Sequence, residues 1–97
     1  MNRVEYNGWT NYETWLVKLW LDNEPSTYEL QRELTNAHRQ PSKIADALKD
    51  YIEENSPVSE AGLYTDLLNS ALSEVDWYSI AEHCVADFLE PDETEEE

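Results

Sequence analysis

A chain of 97 residues with 22 acids against six Lys and Arg, a formal net charge of −16, can hold one domain with a modest core but not two. That charge excludes nucleic-acid binding by the usual phosphate-neutralising route, and 40% hydrophobic with 11% aromatic residues excludes disorder of the whole chain. No apolar run approaches the roughly 20 residues of a membrane span. The N-terminus MNRVEYNG lacks the apolar segment of a signal peptide, and the lone Cys84 excludes an internal disulfide, so a cytoplasmic location is expected.

In chain order, residues 1–8 read as an irregular arm with Asn7-Gly8 as a turn signal. The stretch WTNYETWLVKLWLDN, from Trp9 to Asn23, then reads as the first helix, over about 11–23, and as the expected centre of packing. Thr10 and Glu13 fit a capping box. Tyr12, Trp15, Leu16, Leu19 and Trp20 recur at helical spacing as its apolar face, which places Trp15 and Trp20 in the core or at its edge. Glu24-Pro25 makes a short turn, and Ser26 with Glu29 fits a second capping box. The second helix spans about 27–39 with Leu30, Leu34 and Ala37 inward, until Pro41 stops it and Ser42 caps the next. The third helix, about 43–54, sets Ile44, Leu48, Tyr51 and Ile52 on one side. Asp46, Asp50 and Glu53 form a stripe on the other, at i, i+4 and i+7.

After Ser56-Pro57 a fourth helix, about 59–72, carries Leu63, Tyr64, Leu67, Leu68, Ala71 and Leu72 at helical spacing. The fifth, about 75–89, starts near Ser73 or with Asp76 as its cap and gathers Trp77, Ile80, Ala81, Cys84 and Phe88 into a narrow arc. Asp76, His83, Asp87 and Glu90 stack along one flank of that arc. Pro91 ends the helix, and the tail to Glu97 lacks apolar residues. The fold expected is all-α: a compact bundle of four to five short helices as one domain over 1–90, with an acidic disordered tail over 91–97.

The chemistry is sparse. His83 and Cys84 are neighbours on one helix and diverge, Cys84 sits in the apolar arc, and His38 stands apart near the end of the second helix. No zinc spacing, calcium loop or glycine-rich phosphate loop is present, so no catalytic residue, metal or cofactor is expected. A small hydrolase or metal-dependent enzyme would need a cleft with a strongly perturbed carboxylate. Charge is the stronger signal. Up to Lys49 seven acids face six bases, whereas from Asp50 onward there are fifteen acids and no Lys or Arg. A solvated face of that kind ordinarily mixes both signs. The segregation points to a basic partner, engaged by carboxylates that imitate a phosphate row, with Asp46, Asp50, Glu53, Glu54, Asp76, Asp87 and Glu90 as the contact residues. The competing reading is an adaptor anchored by the aromatic N-terminus, Tyr6 and Trp9, with the acids serving solubility.

The segment Tyr6-Asn7-Gly8-Trp9-Thr10-Asn11-Tyr12-Glu13-Thr14-Trp15, continued by Leu19-Trp20-Leu21-Asp22-Asn23, resembles the signature of a family of small proteins carried by phages, plasmids and other mobile elements. Gly62 to Leu68 and Ala71 to Trp77, with Ile80-Ala81-Glu82-His83, are similar to the family's C-terminal pattern. The resemblance implies a mobile-element gene acting in the host cytosol and carries over no functional residue. In that setting small acidic proteins are often inhibitors of host defence, of anti-restriction or anti-CRISPR type, several of them DNA mimics. The expected partner is therefore a basic nucleic-acid-binding protein such as a defence nuclease, with neither nucleic acid nor membrane bound directly and the oligomeric state open.

Overall fold

A computed structural model describes residues 6–58 and 60–91. The expected acidic tail, apart from Pro91, and the start of the N-terminal arm lie outside the described residues. Among the described residues the fold has five helices: α1 (Tyr12–Asn23), α2 (Pro25–His38), α3 (Pro41–Glu54), α4 (Leu63–Ser73) and α5 (Trp77–Phe88). No named strand occurs among the described residues; a single bridge joins Tyr6 to Trp9.

That bridge closes a two-residue turn. Tyr6 and Trp9 exchange both backbone hydrogen bonds at 2.8 Å, and Asn7 and Gly8 take φ of 50° and 88°. Positive φ at both central residues is the geometry for which Asn-Gly is suited, because glycine meets no Cβ penalty there.

The core is built mainly by α3 and α5. Ile44, Leu48, Ile80, Ala81 and Cys84 are fully buried, joined by Ala45, Val75, Trp77 and Leu21, with Phe88 at the edge. Each large aliphatic chain here stabilises the fold by about 1.5–3 kcal/mol. The apolar arcs of α3 and α5 thus sit where their periodicity places them. The stripe of Asp46, Asp50 and Glu53 is exposed on the opposite side of α3.

Four helix starts differ from the sequence expectation. Thr10 and Glu13 form no capping box: Asn11 is the cap of α1, and its side chain accepts from the Thr14 N–H. Ser26 and Ser42 cap nothing, because Pro25 and Pro41 occupy the first turns of α2 and α3, and neither helix has a side-chain cap. Proline suits that position since its missing N–H would have no partner there. Asp76 does cap α5, and α4 begins at Leu63 rather than near residue 59.

The larger correction concerns which side of each helix faces inward. In α1 the buried residues are Thr14, Lys18 and Leu21. Trp20 is 62% exposed, Tyr12 and Leu19 are exposed as well, and Trp15 and Leu16 are half-buried. The helix expected at the centre of packing lies at the side, with its apolar face toward solvent. In α2 the buried pair is Gln31 and Thr35, Leu30 and Leu34 are half-buried, and Ala37 is exposed. α4 buries no residue; Thr65, Leu68 and Leu72 are half-buried, while Leu63, Tyr64 and Leu67 are exposed.

Candidate interaction surface

Hydrogen bonds explain why α1 is turned this way. Asn11 Oδ1 accepts from the Thr14 N–H at 2.9 Å and from the Thr14 hydroxyl at 2.6 Å, while Asn11 Nδ2 donates to the Glu74 carbonyl at 2.7 Å. The Thr14 hydroxyl oxygen accepts in turn from the Asp76 N–H at 2.9 Å. Thr10 donates to Asp76 Oδ2 at 2.7 Å, and Asp76 Oδ1 accepts from the Ser79 N–H at 3.1 Å. The start of α1 and the start of α5, each capped by its own side chain, are therefore tied together in a single polar clasp, and the Trp9 ring lies 4.0 Å from the His83 ring beside it.

One helical turn further, Lys18 is almost wholly buried. Its ammonium donates to Gln31 Oε1 at 2.7 Å and pairs with Asp22 at 3.2 Å, and it lies 5.6 Å from the centre of the Phe88 ring. Gln31 also donates to Asp22 Oδ1 at 2.9 Å, and the Cys84 thiol donates weakly to Gln31 Oε1 at 3.5 Å. No buried side-chain N or O atom among the described residues lacks a partner. Burying these groups is tolerable only in this pairing, since an unpaired buried charge costs several kcal/mol. Rotating α1 to bury Trp20 would break every bond of the clasp and of the Lys18–Gln31 pair.

The consequence is an aromatic and aliphatic solvent face. Tyr6, Tyr12 and Trp15 pack on each other with ring centres 4.9–5.6 Å apart, and Leu16, Leu19 and Trp20 continue the face along the helix. At its far end Leu16, Val17, Trp20, Leu21, Thr27 and Ile52, with Glu24, line an open groove of about 270 Å³. Surfaces of this kind on a small domain mark interaction sites. Of the two aromatic anchors read from the sequence, Tyr6 belongs to this face, whereas Trp9 is half-buried against His83. Helical spacing favoured the packed side for Tyr12, Leu19 and Trp20 over an exposed aromatic hot spot; the visible signal for exposure was the polar spacing Asn11, Thr14, Lys18.

The carboxylates divide into separate groups. Asp46, Asp50 and Glu53 stand together on α3, exposed and without an ion pair among the described residues. Glu53 and Glu54 also wall a cleft of about 410 Å³ between the end of α3 and α4, completed by Ser56, Val58, Thr65, Asn69 and Leu72. Asp76 is a correction to the expected set: it is half-buried and committed to the clasp. Glu90 is drawn to α2, where Arg32 approaches its carboxylate at 3.7 Å and Arg39 donates to its carbonyl at 3.0 Å. Asp87 is exposed on α5. The α3 stripe lies on the side of α3 opposite the buried Ile44 and Leu48.

Burial pushes the Cys84 thiol above its ordinary pKa, and the side chain lies in the core. No group of His, Cys, Asp and Glu among the described residues is arranged to hold a metal, and none of the described helices is long and apolar enough to cross a membrane.

The chain belongs to a family of unknown function, DUF7249, whose model matches residues 2–93. No curated protein and no solved structure matches the chain.

Proposed function

We propose that this member of a family without an assigned activity is a non-enzymatic protein-binding module whose contact surface is the aromatic solvent face of α1. One observation carries the reading. α1 buries Thr14 and Lys18 and leaves Trp20 62% exposed, although turning the helix over would bury more apolar surface. A fold held this way round by hydrogen bonds keeps its large apolar side chains available to a partner, and Trp and Tyr dominate interface energetics.

A second reading keeps the acids in the leading role. The bare stripe of Asp46, Asp50 and Glu53 favours an inhibitor of a host defence nuclease, encoded on a mobile element, that imitates a phosphate row in a basic cleft. One experiment separates the two. Wild type, Leu19→Ser/Trp20→Ser and Asp50→Lys/Glu53→Lys are used to capture partners from host extract, and affinity for the recovered partner is then measured. The α1 reading expects the Leu19/Trp20 variant to lose about 30-fold or more, the scale of a hot-spot residue, and the α3 variant to hold on. The opposite pattern supports mimicry. A partner indifferent to both variants refutes both readings.

A further inference from the structure

The chemistry around the aromatic face narrows what it can receive. Lys18 is the only cation on α1, and it is buried, so every charged group this helix shows to solvent is a carboxylate. Glu13 is half-buried beside Tyr12, Asp22 is exposed beyond Leu19, and Glu24 lines the groove together with Trp20. Rings flanked by carboxylates complement a cation twice over. The ring face attracts it through its quadrupole, and the carboxylate pairs with it. A second copy of this chain is disfavoured at the same place, because each copy carries a net charge of −16 and α1 would meet like charges at its rim.

Resting on the reading of α1 as the contact surface, we infer that its occupant is a cationic segment of the partner. Arg or Lys side chains of that segment lie over the rings of Tyr12, Trp15 and Trp20, and Glu13 and Glu24 hold their charged ends. Apolar side chains of the same segment enter the groove beside Ile52. An amphipathic basic helix satisfies both demands, since it presents an apolar stripe bordered by cations.

The test uses the full chain and two synthetic amphipathic peptides of equal length, one of Leu and Arg and one of Leu and Glu. Indole N–H signals of the protein are followed by NMR during titration, at two salt concentrations. The inference expects the Leu/Arg peptide to shift the Trp15 and Trp20 signals, with weaker binding at higher salt. Trp20→Ala should cost about tenfold or more in affinity, and the Leu/Glu peptide should bind far more weakly. Circular dichroism checks that Trp20→Ala stays folded, as its exposure predicts. Equal shifts from both peptides would overturn the cationic occupant and leave α1 standing as a contact surface. Binding of the Leu/Arg peptide that ignores Trp20→Ala but disappears in Asp50→Lys/Glu53→Lys would move the cation to α3 and overturn the inference. So would concentration-dependent loss of the Trp20 signal without peptide, which would name a second copy as occupant, or a failure of both peptides to shift either indole.

Discussion

Gln31→Leu tests the polar interior most directly. The side chain is fully buried and serves two charged neighbours, accepting from the Lys18 ammonium at 2.7 Å and donating to the Asp22 carboxylate at 2.9 Å. Leucine of similar size fills the space and donates to neither. Hydrogen bonds to charged groups contribute about 1.5–3 kcal/mol each, and Lys18 would keep only Asp22 at 3.2 Å. A loss of about 3–5 kcal/mol is expected, a large part of the about 5–15 kcal/mol available to a domain. Met in place of Lys18 removes the stranded charge, and an apolar pair of the same shape is close to neutral. The double variant Lys18→Met/Gln31→Leu should therefore recover at least half of the loss, a coupling of about 2 kcal/mol. Urea unfolding followed at the helical circular dichroism signal reads this, with the midpoint of Gln31→Leu falling by roughly 2 M. Additive losses in the double variant would refute the argument that these groups are buried only because they pair.

Asp76→Ala removes the cap of α5 and the acceptor of Thr10, and should cost about 1–3 kcal/mol; thermal melting should show a fall of about 5–20 °C. Cys84 should resist thiol reagents in the native protein and react at once in denaturant. Because burial raises its pKa in the fold, the unfolded chain ionises first as pH rises past about 8.5. The thiol thus favours the fold at neutral pH, and that contribution is lost with increasing alkalinity. Chemical denaturation across pH 7 to 10 checks this: Cys84→Ala should lower stability yet show a shallower decline with pH than wild type.

α3 and α5 were legible because their inward residues are apolar and their partners are each other. Ile44, Ala45, Leu48, Ile80, Ala81 and Cys84 repeat at helical spacing, and burial follows hydrophobicity. α1 and α2 were not, because Thr14, Lys18, Gln31 and Thr35 are buried by virtue of partners on other helices. A count of apolar positions along one helix cannot register Gln31 waiting for Lys18. Prolines misled in a simpler way, since Pro25 and Pro41 begin helices as readily as they end them. α4 has apolar residues on two sides, so its periodicity named the docked Leu68 and Leu72 along with the bare Leu63 and Tyr64. The candidate site inherited the α1 error: the residues assigned to the interior form the surface, and Asp76, assigned to the surface, is spent holding two helix ends together.

The clasp also bears on the order of events during synthesis. Its two halves lie 62–66 residues apart, so α1 leaves the ribosome long before Asp76 and Ser79 exist. Until then only the contacts with α2, chiefly Lys18 with Gln31, set the roll of the first helix about its axis, and collapse onto its tryptophans competes with them. Native orientation is thus half-set by α2 and locked only by the last helix, and a nascent chain stalled before residue 76 should present a loosely held, aggregation-prone intermediate.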